Sequence, residues 1–189
     1  MVTTASSRGF TLIELLVLLA VLAITLPMAG AVFQERLQDY RSASAMNHVR
    51  TLFATAREHA LMTGKTVTVC ALTEAGHCSR DWQPPRTIVV FIDDNEDHRY
   101  AAPESLLREI RWPLENGELS WRASLARNYI DFEGNGGTWQ NGTLYYCPDS
   151  RDARAARALV LSHSGRSYLP GDSNGDGIRE DRTGRDLRC

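Results

Sequence analysis

The sequence predicts an α+β protein: one long N-terminal helix followed by a run of short strands. Three observations lead there. Residues 15–33 are an uncharged apolar run, an amphipathic stripe continues it to about residue 63, and from Thr66 onward short β-branched segments alternate with Gly, Pro, Asn and Asp. A helix succeeded by strands, rather than alternating with them, implies a helix laid on an antiparallel sheet. The 189 residues suffice for one domain plus an anchor.

Residues 1–9 read as a short polar leader whose only charged side chain, Arg8, fits a cytoplasmic location. Residues 10–33 are long enough to cross a bilayer core as a helix. That span carries a single carboxylate, Glu14, which in lipid costs about 2.5–3.5 kcal/mol and therefore calls for a partner. An ordinary secretory signal is cut after its apolar region. Here the cut is expected before it, between Gly9 and Phe10. Cleavage there removes the leader, keeps the helix and creates an amino group at Phe10, one helical turn from Glu14. The two charges can then neutralise each other within a chain or between neighbouring chains. Pro27 lies inside the span and is expected to free the Ala23 carbonyl and kink the helix.

Residues 34–64 are expected to form the amphipathic half of the helix. Leu37, Tyr40, Val49, Leu52, Phe53, Ala56 and Ala60 recur at steps of three and four, and Gly64 is a good stop. His48 and His59 are expected at its surface or boundary. Residues 65–189 read as a β-rich globular domain with a Gly-, Asp- and Arg-rich tail. Strands are expected at residues 66–70, 87–92, 106–112, 119–122 (pairing back on the strand before it), 129–132, 143–146 and 159–161.

Net charge is −2, so no global field points to nucleic acid or acidic lipid. Lys65 is the only lysine. Cys70, Cys78, Cys147 and Cys189 make an even set, which on the exported side of a membrane favours two disulfides. Three pairings are open, and 70–78 with 147–189 is the most economical. No cysteine pair has zinc-site spacing. The motifs G-x-S-x-G and H-E-x-x-H and a Gly-rich phosphate loop are absent, so no enzyme is expected.

The stretch Gly9-Phe10-Thr11-Leu12-Ile13-Glu14-Leu15 with its apolar continuation resembles the class III signal of type IV pilins and type II secretion pseudopilins. The resemblance implies cleavage after Gly9 by a prepilin peptidase, N-methylation of Phe10, and assembly of the helices into a filament core. Bending at Pro27 also fits it. Further on, Ile130-Asp131-Phe132-x-Gly-x-Gly, Gly142-Thr143-Leu144-x-Tyr146-Cys147 and Ser162-x-Ser164-Gly165-Arg166 are similar, in that order, to the GspH/FimT family of minor pilins and pseudopilins, over roughly residues 8–168. This implies the type IV pilin fold. It also implies a minor pilin that primes a type IV pilus or sits at its tip, serving pilus biogenesis, twitching motility and adhesion. Partners would be other minor pilins and the major pilin, met through the N-terminal helices. The chain would begin as a single-pass bacterial inner-membrane protein with a periplasmic C-terminal domain and end in the pilus or pseudopilus. Two alternatives are a type II secretion pseudopilin and a DNA-binding subunit for natural transformation.

Two tail features bear on ligands. Arg166 stands at the family's Gly-Arg-x-Arg position, where arginines suit phosphate contacts. Tyr168 replaces the second Arg, and Arg185 and Arg188, with Arg151, Arg154 and Arg157, are candidates to extend a basic face toward DNA. Interleaved aspartates oppose it. Asp172, Asn174 and Asp176, followed by Gly177, alternate like the start of a calcium loop, with Glu180 as a further candidate ligand. The twelfth position is Thr183 rather than Glu. Asp93-Asp94-Asn95-Glu96-Asp97 is a weaker version in which His98 stands for the Gly, and a plain turn is expected there.

Overall fold

The computed structural model describes residues 10–83, 86–111, 117–123, 125 and 127–189, without the side chains of 26–32. The leader 1–9, with Gly9, lies outside the described residues, as does the environment of Pro27. Helix α1 spans Leu12–Thr63. The chain divides into two units, Met1–Gln38 and Asp39–Cys189.

In the first unit the apolar side chains stand uncovered, from Phe10 (85 % exposed) and Leu12 through Leu22 and Ile24 to Phe33. Among the described residues no helix is long and apolar enough to cross a membrane. The span expected at 10–33 includes 26–32, whose side chains are not among them.

The second unit is built around the helix stripe Ala45, Met46, Val49, Leu52, Phe53, Ala56 and Ala60, all buried. These sit at helical spacing, so one face enters the core. Tyr40, expected on the stripe, is 71 % exposed. The buried face begins with Ser42 and Ala45 instead, where small residues let the helix approach the domain closely. Gly64 ends the helix with φ +69°, a left-handed conformation natural to glycine, and its N–H bonds to the Ala60 carbonyl.

Among the described residues nine strands follow: β1 Val67–Leu72, β2 Cys78–Ser79, β3 Thr87–Ile92, β4 Leu106–Arg111, β5 Glu118–Ala123, β6 Tyr129–Phe132, β7 Gly142–Cys147, β8 Arg157–Leu161 and β9 Ser167–Tyr168. They form two antiparallel sheets rather than one. In the first, β3 lies between β1 and β4, and the other edge of β1 is shared by β6 (Val67 opposite Phe132) and β2 (Ala71 opposite Ser79). In the second the order is β5-β7-β8-β9. The expected return of β5 onto β4 therefore does not occur; β5 pairs with β7, Leu119 opposite Tyr146.

One core joins helix and sheets. On β1, Val67, Val69 and Ala71 face it, while Cys70 joins Val89, Phe91 and Tyr129 on the opposite face. Phe53 meets Trp121 of β5 edge to face at 6.3 Å and Phe132 of β6 at 6.2 Å, so one helix residue bridges both sheets. Trp82, in a stretch read as loop, is 1 % exposed and packs on Trp121. Its neighbour Gln83 ties the sheets: the side-chain oxygen accepts from the Leu119 N–H (2.9 Å) and the amide donates to the Leu119 carbonyl (2.8 Å).

Candidate functional site

The N-terminal end of α1 explains how Glu14 is accommodated in a single chain. Thr11 precedes the first helical residue, Leu12. Its N–H and hydroxyl donate to Glu14 Oε2 at 2.8 and 2.9 Å, and the Glu14 N–H donates to the Thr11 hydroxyl at 3.3 Å. This is a reciprocal capping box, and its signature Thr-x-x-Glu stands in the sequence. Two of the orphan donors of the helix end are thus satisfied, and the carboxylate is held at the end of the helix where the dipole favours it. Thr11 and Glu14 are exposed, so a stronger donor such as an ammonium can reach the same carboxylate.

The disulfides are Cys70–Cys78 and Cys147–Cys189, with Cα atoms 5.4 and 5.5 Å apart. This is the pairing the spacing favoured. The first closes the β1–β2 connection. The second fastens the tail, whose Leu187 is buried against Ala156 and Ala158.

Arg185 and Arg188 line a cleft of about 600 Å³ with Arg122 and Arg151, and Arg166 is not among its lining residues. Glu118, Asp181 and Asp186 line the same cleft. Glu118 holds Arg151 through two bonds of 2.8 and 3.1 Å, and Asp181 lies 3.6 Å from Arg185. Positive charge there is largely answered by carboxylates. Arg157, expected on a basic face, is instead 3 % exposed. It is paired with Asp39 of α1 and donates to the Ala156 (2.7 Å) and Arg154 (3.0 Å) carbonyls. Burial, opposed by Asp39, pulls its guanidinium below the ordinary value.

The motif around Arg166 owes its order to the fold. Arg57 Nε of α1 donates to the Gly136 carbonyl (3.0 Å) and the Ser164 carbonyl (3.2 Å), clamping two turns 28 residues apart in the chain. Gly165 has φ +71°, and a Cβ there would strike the Gly136 carbonyl. The glycine serves this close approach, while Arg166 is exposed.

The tail loop is closed by its own donors. Asp172 accepts from the Gly175 (2.7 Å) and Gly177 (2.8 Å) N–H groups, and Asp176 from the Ile178 N–H (2.7 Å). Glu180 turns to the Ser173 hydroxyl (2.6 Å) and the Ser173 and Asn174 N–H groups. These donors hold its carboxyl below the usual range, the Ser173 hydroxyl first.

Comparison with known proteins places these features. A family model described as Type II transport protein GspH matches residues 45–165, and one described as prokaryotic N-terminal methylation motif matches residues 4–26. The crystal structure of the Pseudomonas aeruginosa (strain PAO1) type IV minor pilin FimU in space group P21 aligns with a TM-score of 0.51 at 20 % identity, covering 74 % of this chain and 92 % of that one. Its P65 form gives 0.50 at 19 %, covering 68 % and 92 %. The minor pseudopilin EpsH from the Vibrio cholerae type 2 secretion system gives 0.48 at 10 %, covering 70 % and 97 %. No curated protein matches. The FimU likeness shows a shared fold: a helix packed on antiparallel sheets.

Proposed function

The chain belongs to the GspH family of type II transport proteins, whose members are structural minor pilins and pseudopilins, and from that premise we propose that it is a minor pilin that primes a type IV pilus or sits at its tip. The observation that carries this is the methylation motif leading straight into α1, where apolar side chains from Leu12 to Leu22 stand uncovered around one capped carboxylate. Such a surface is costly in water and is stabilised by lipid or by the apolar helices of neighbouring subunits. A prepilin peptidase would cut at Gly9, and Phe10 would be methylated.

Assembly, not catalysis, is the mechanism. Before docking, Thr11 supplies Glu14 with its hydrogen bonds. On docking, the amine of a neighbouring subunit takes over and neutralises the carboxylate in the lipid, where unpaired charge is expensive. Glu14→Ala should leave processing largely intact and reduce incorporation into filaments, scored by immunoblot of sheared pili. Normal incorporation of the variant would refute charge pairing.

The pilus role is tested by deleting the gene and measuring major pilin sheared from cells. Loss of piliation restored by complementation supports a priming minor pilin. Normal piliation with a defect in protein secretion would instead make the chain a pseudopilin, the reading favoured by the family's description. Normal piliation with lost DNA uptake would point to a DNA-binding subunit. The charge balance around Arg185 and Arg188 gives that last reading the least support.

A further inference from the structure

The face of the first sheet opposite the core carries a knot of polar side chains. On β1 and β6 the core takes Val67, Val69, Ile130 and Phe132. Strand alternation therefore sends Thr68 and Asp131, which stand opposite each other, to the other face. Asp93, where the chain leaves β3, and His98, in the turn that follows, close over them. His98 has φ +57° and stacks its ring on that of Tyr129, with centroids 3.5 Å apart. Its Nε2 meets Asp131 Oδ2 at 2.9 Å. Its backbone N–H donates to Asp93 Oδ2 at 3.1 Å, and the Asp97 N–H donates to Asp93 Oδ1 at 3.2 Å. With Thr68 beside Asp131 Oδ1, all four carboxylate oxygens of the two aspartates have a neighbour of their own, and the knot is closed on itself.

The number of protons is the unusual feature. Thr68 Oγ1 lies 2.8 Å from Asp131 Oδ1 and 3.1 Å from Asp93 Oδ2. A threonine hydroxyl has one proton to donate and two lone pairs to accept with. With both carboxylates ionised it serves only one of them and turns lone pairs to the other. Thr68 is fully buried and Asp93 is 1 % exposed, so water does not soften that contact. One added proton removes the conflict. Placed on Asp131 Oδ1, it is donated to Thr68, the hydroxyl turns to donate to Asp93 Oδ2, and both contacts are hydrogen bonds. The His98 contact survives, because it lies on the other oxygen of Asp131. The neighbouring charges are His98, the loop carboxylates Asp93, Asp97 and Glu104, and Arg127, which donates to the Tyr129 hydroxyl at 2.6 Å. Lys65 is taken by Asp94 at 2.8 Å, and the Asp131 N–H donates to the neutral Gln140 side chain at 3.1 Å. Burial first, joined by the Asp93 charge and opposed by Thr68 and His98, pushes the Asp131 carboxyl above its ordinary value.

We propose that Asp131, Thr68 and Asp93 form an acid-tightened latch: Asp131 takes up one proton from solvent, the Thr68 hydroxyl reverses its direction, and the β3–β4 loop is held more firmly against β1 and β6. Asp93 also anchors the Asp97 and His98 N–H groups, so the reversal stiffens the turn that leads to the edge strand β4. The folded value of Asp131 lies above the unfolded one. The contribution of the latch is therefore full below the unfolded value of about 3.9 and is lost as pH rises through the folded value.

The test compares the full-length protein in detergent with Asp131→Asn, whose amide is a permanent analogue of the protonated carboxyl: the nitrogen donates to Thr68 and the oxygen accepts from His98. By urea midpoint the variant should be the more stable of the two at neutral pH, and the gap should close as pH falls toward about 3.9. Glu104, whose carboxyl burial also pushes up, titrates in both proteins and cancels from the difference. The direct readout is NMR of the wild-type protein. The Asp131 carboxyl carbon should titrate above the ordinary aspartate value, and the Asp97 amide, which touches Asp93 and not Asp131, should shift with the same midpoint. Thr68→Val keeps the shape and removes the hydroxyl, so the Asp97 amide should cease to follow Asp131. An Asp131 midpoint at or below the ordinary value overturns the proposal, and this wild-type titration decides even where a variant does not fold. A variant Asp131→Asn less stable than wild type at every pH overturns it too, as does an Asp97 response that persists undiminished in Thr68→Val.

Discussion

Asp39→Ala should cost the globular unit more than Arg157→Met, although the two side chains form one ion pair. The reason is unequal burial. The Arg157 side chain is 3 % exposed, that of Asp39 38 %. Removing Asp39 strands a buried guanidinium on carbonyl partners alone. Breaking a fully buried pair this way costs about 3–5 kcal/mol; with one partner over a third exposed and screened, about 2–3 kcal/mol is expected. Removing Arg157 takes away both the charge and its desolvation demand. A methionine of similar reach fills the space, and Asp39 keeps water and Arg179, whose Nη1 lies 3.5 Å away. The expected cost is about 0–1 kcal/mol. Urea denaturation of the full-length protein in detergent, followed by tryptophan fluorescence, to which buried Trp82 contributes, reads the difference. The double variant should be nearly as stable as Arg157→Met alone, because the stranded charge is gone. If Arg157→Met costs as much as Asp39→Ala, or if the two losses add, the burial argument fails.

Other consequences are open to the same approach. Replacing Cys147 and Cys189 by serine opens a link with a sequence separation of 42 and should cost about 4 kcal/mol in the chain-entropy model, whereas the Cys70–Cys78 link, separation 8, should cost about 2.5 kcal/mol; equal losses on denaturation would count against that ordering. Gly165→Ala forces a side chain into left-handed backbone against the Gly136 carbonyl and should destabilise by about 1–3 kcal/mol, while Arg166→Ala stays within about 0.5 kcal/mol. Comparable Tm values for the two variants would refute a packing role for the glycine. The Glu180 carboxyl is held below its unfolded value of about 4.3 by donors from Ser173 and Asn174, so its contribution is complete above that pH and is lost as pH falls through the folded value. Amide exchange at Ser173 and Asn174 should therefore lose protection in acid, and an unchanged profile in which Glu180→Gln behaves like wild type would remove the carboxylate from that role.

What was legible in the sequence was mostly local. The stripe from Val49 to Ala60, the β-branched strands at Val67–Leu72 and Thr87–Ile92, and the Gly64 stop each declare themselves within a few residues. The partition into two sheets did not, because β5 chooses between β4 and a strand two dozen residues ahead, and the choice is made by Trp121 packing on Phe53 and by Gln83 pairing with Leu119. Charged residues were hardest. Arg157 has the same letter as the exposed Arg166, and only the return of Asp39 across the core makes one buried and the other free to face solvent.

The two acidic loops make the same point from the ligand side. Read by their first six positions, the tail loop wins, since Gly177 holds the place that His98 occupies in the other. The backbone shows that this distinction is weak: His98 reaches φ +57° and Gly177 φ +89°, so both loops turn. The stronger distinction lies at the far end, in what the last carboxylate finds. Glu180 finds three donors, the Ser173 hydroxyl and the Ser173 and Asn174 N–H groups; Glu104 finds the Ala101 N–H and lies beside Asp93 and Asp97. A spacing motif says where oxygens can gather, but what holds them there depends on the donors the rest of the fold supplies, and those are set by the fold rather than by the spacing.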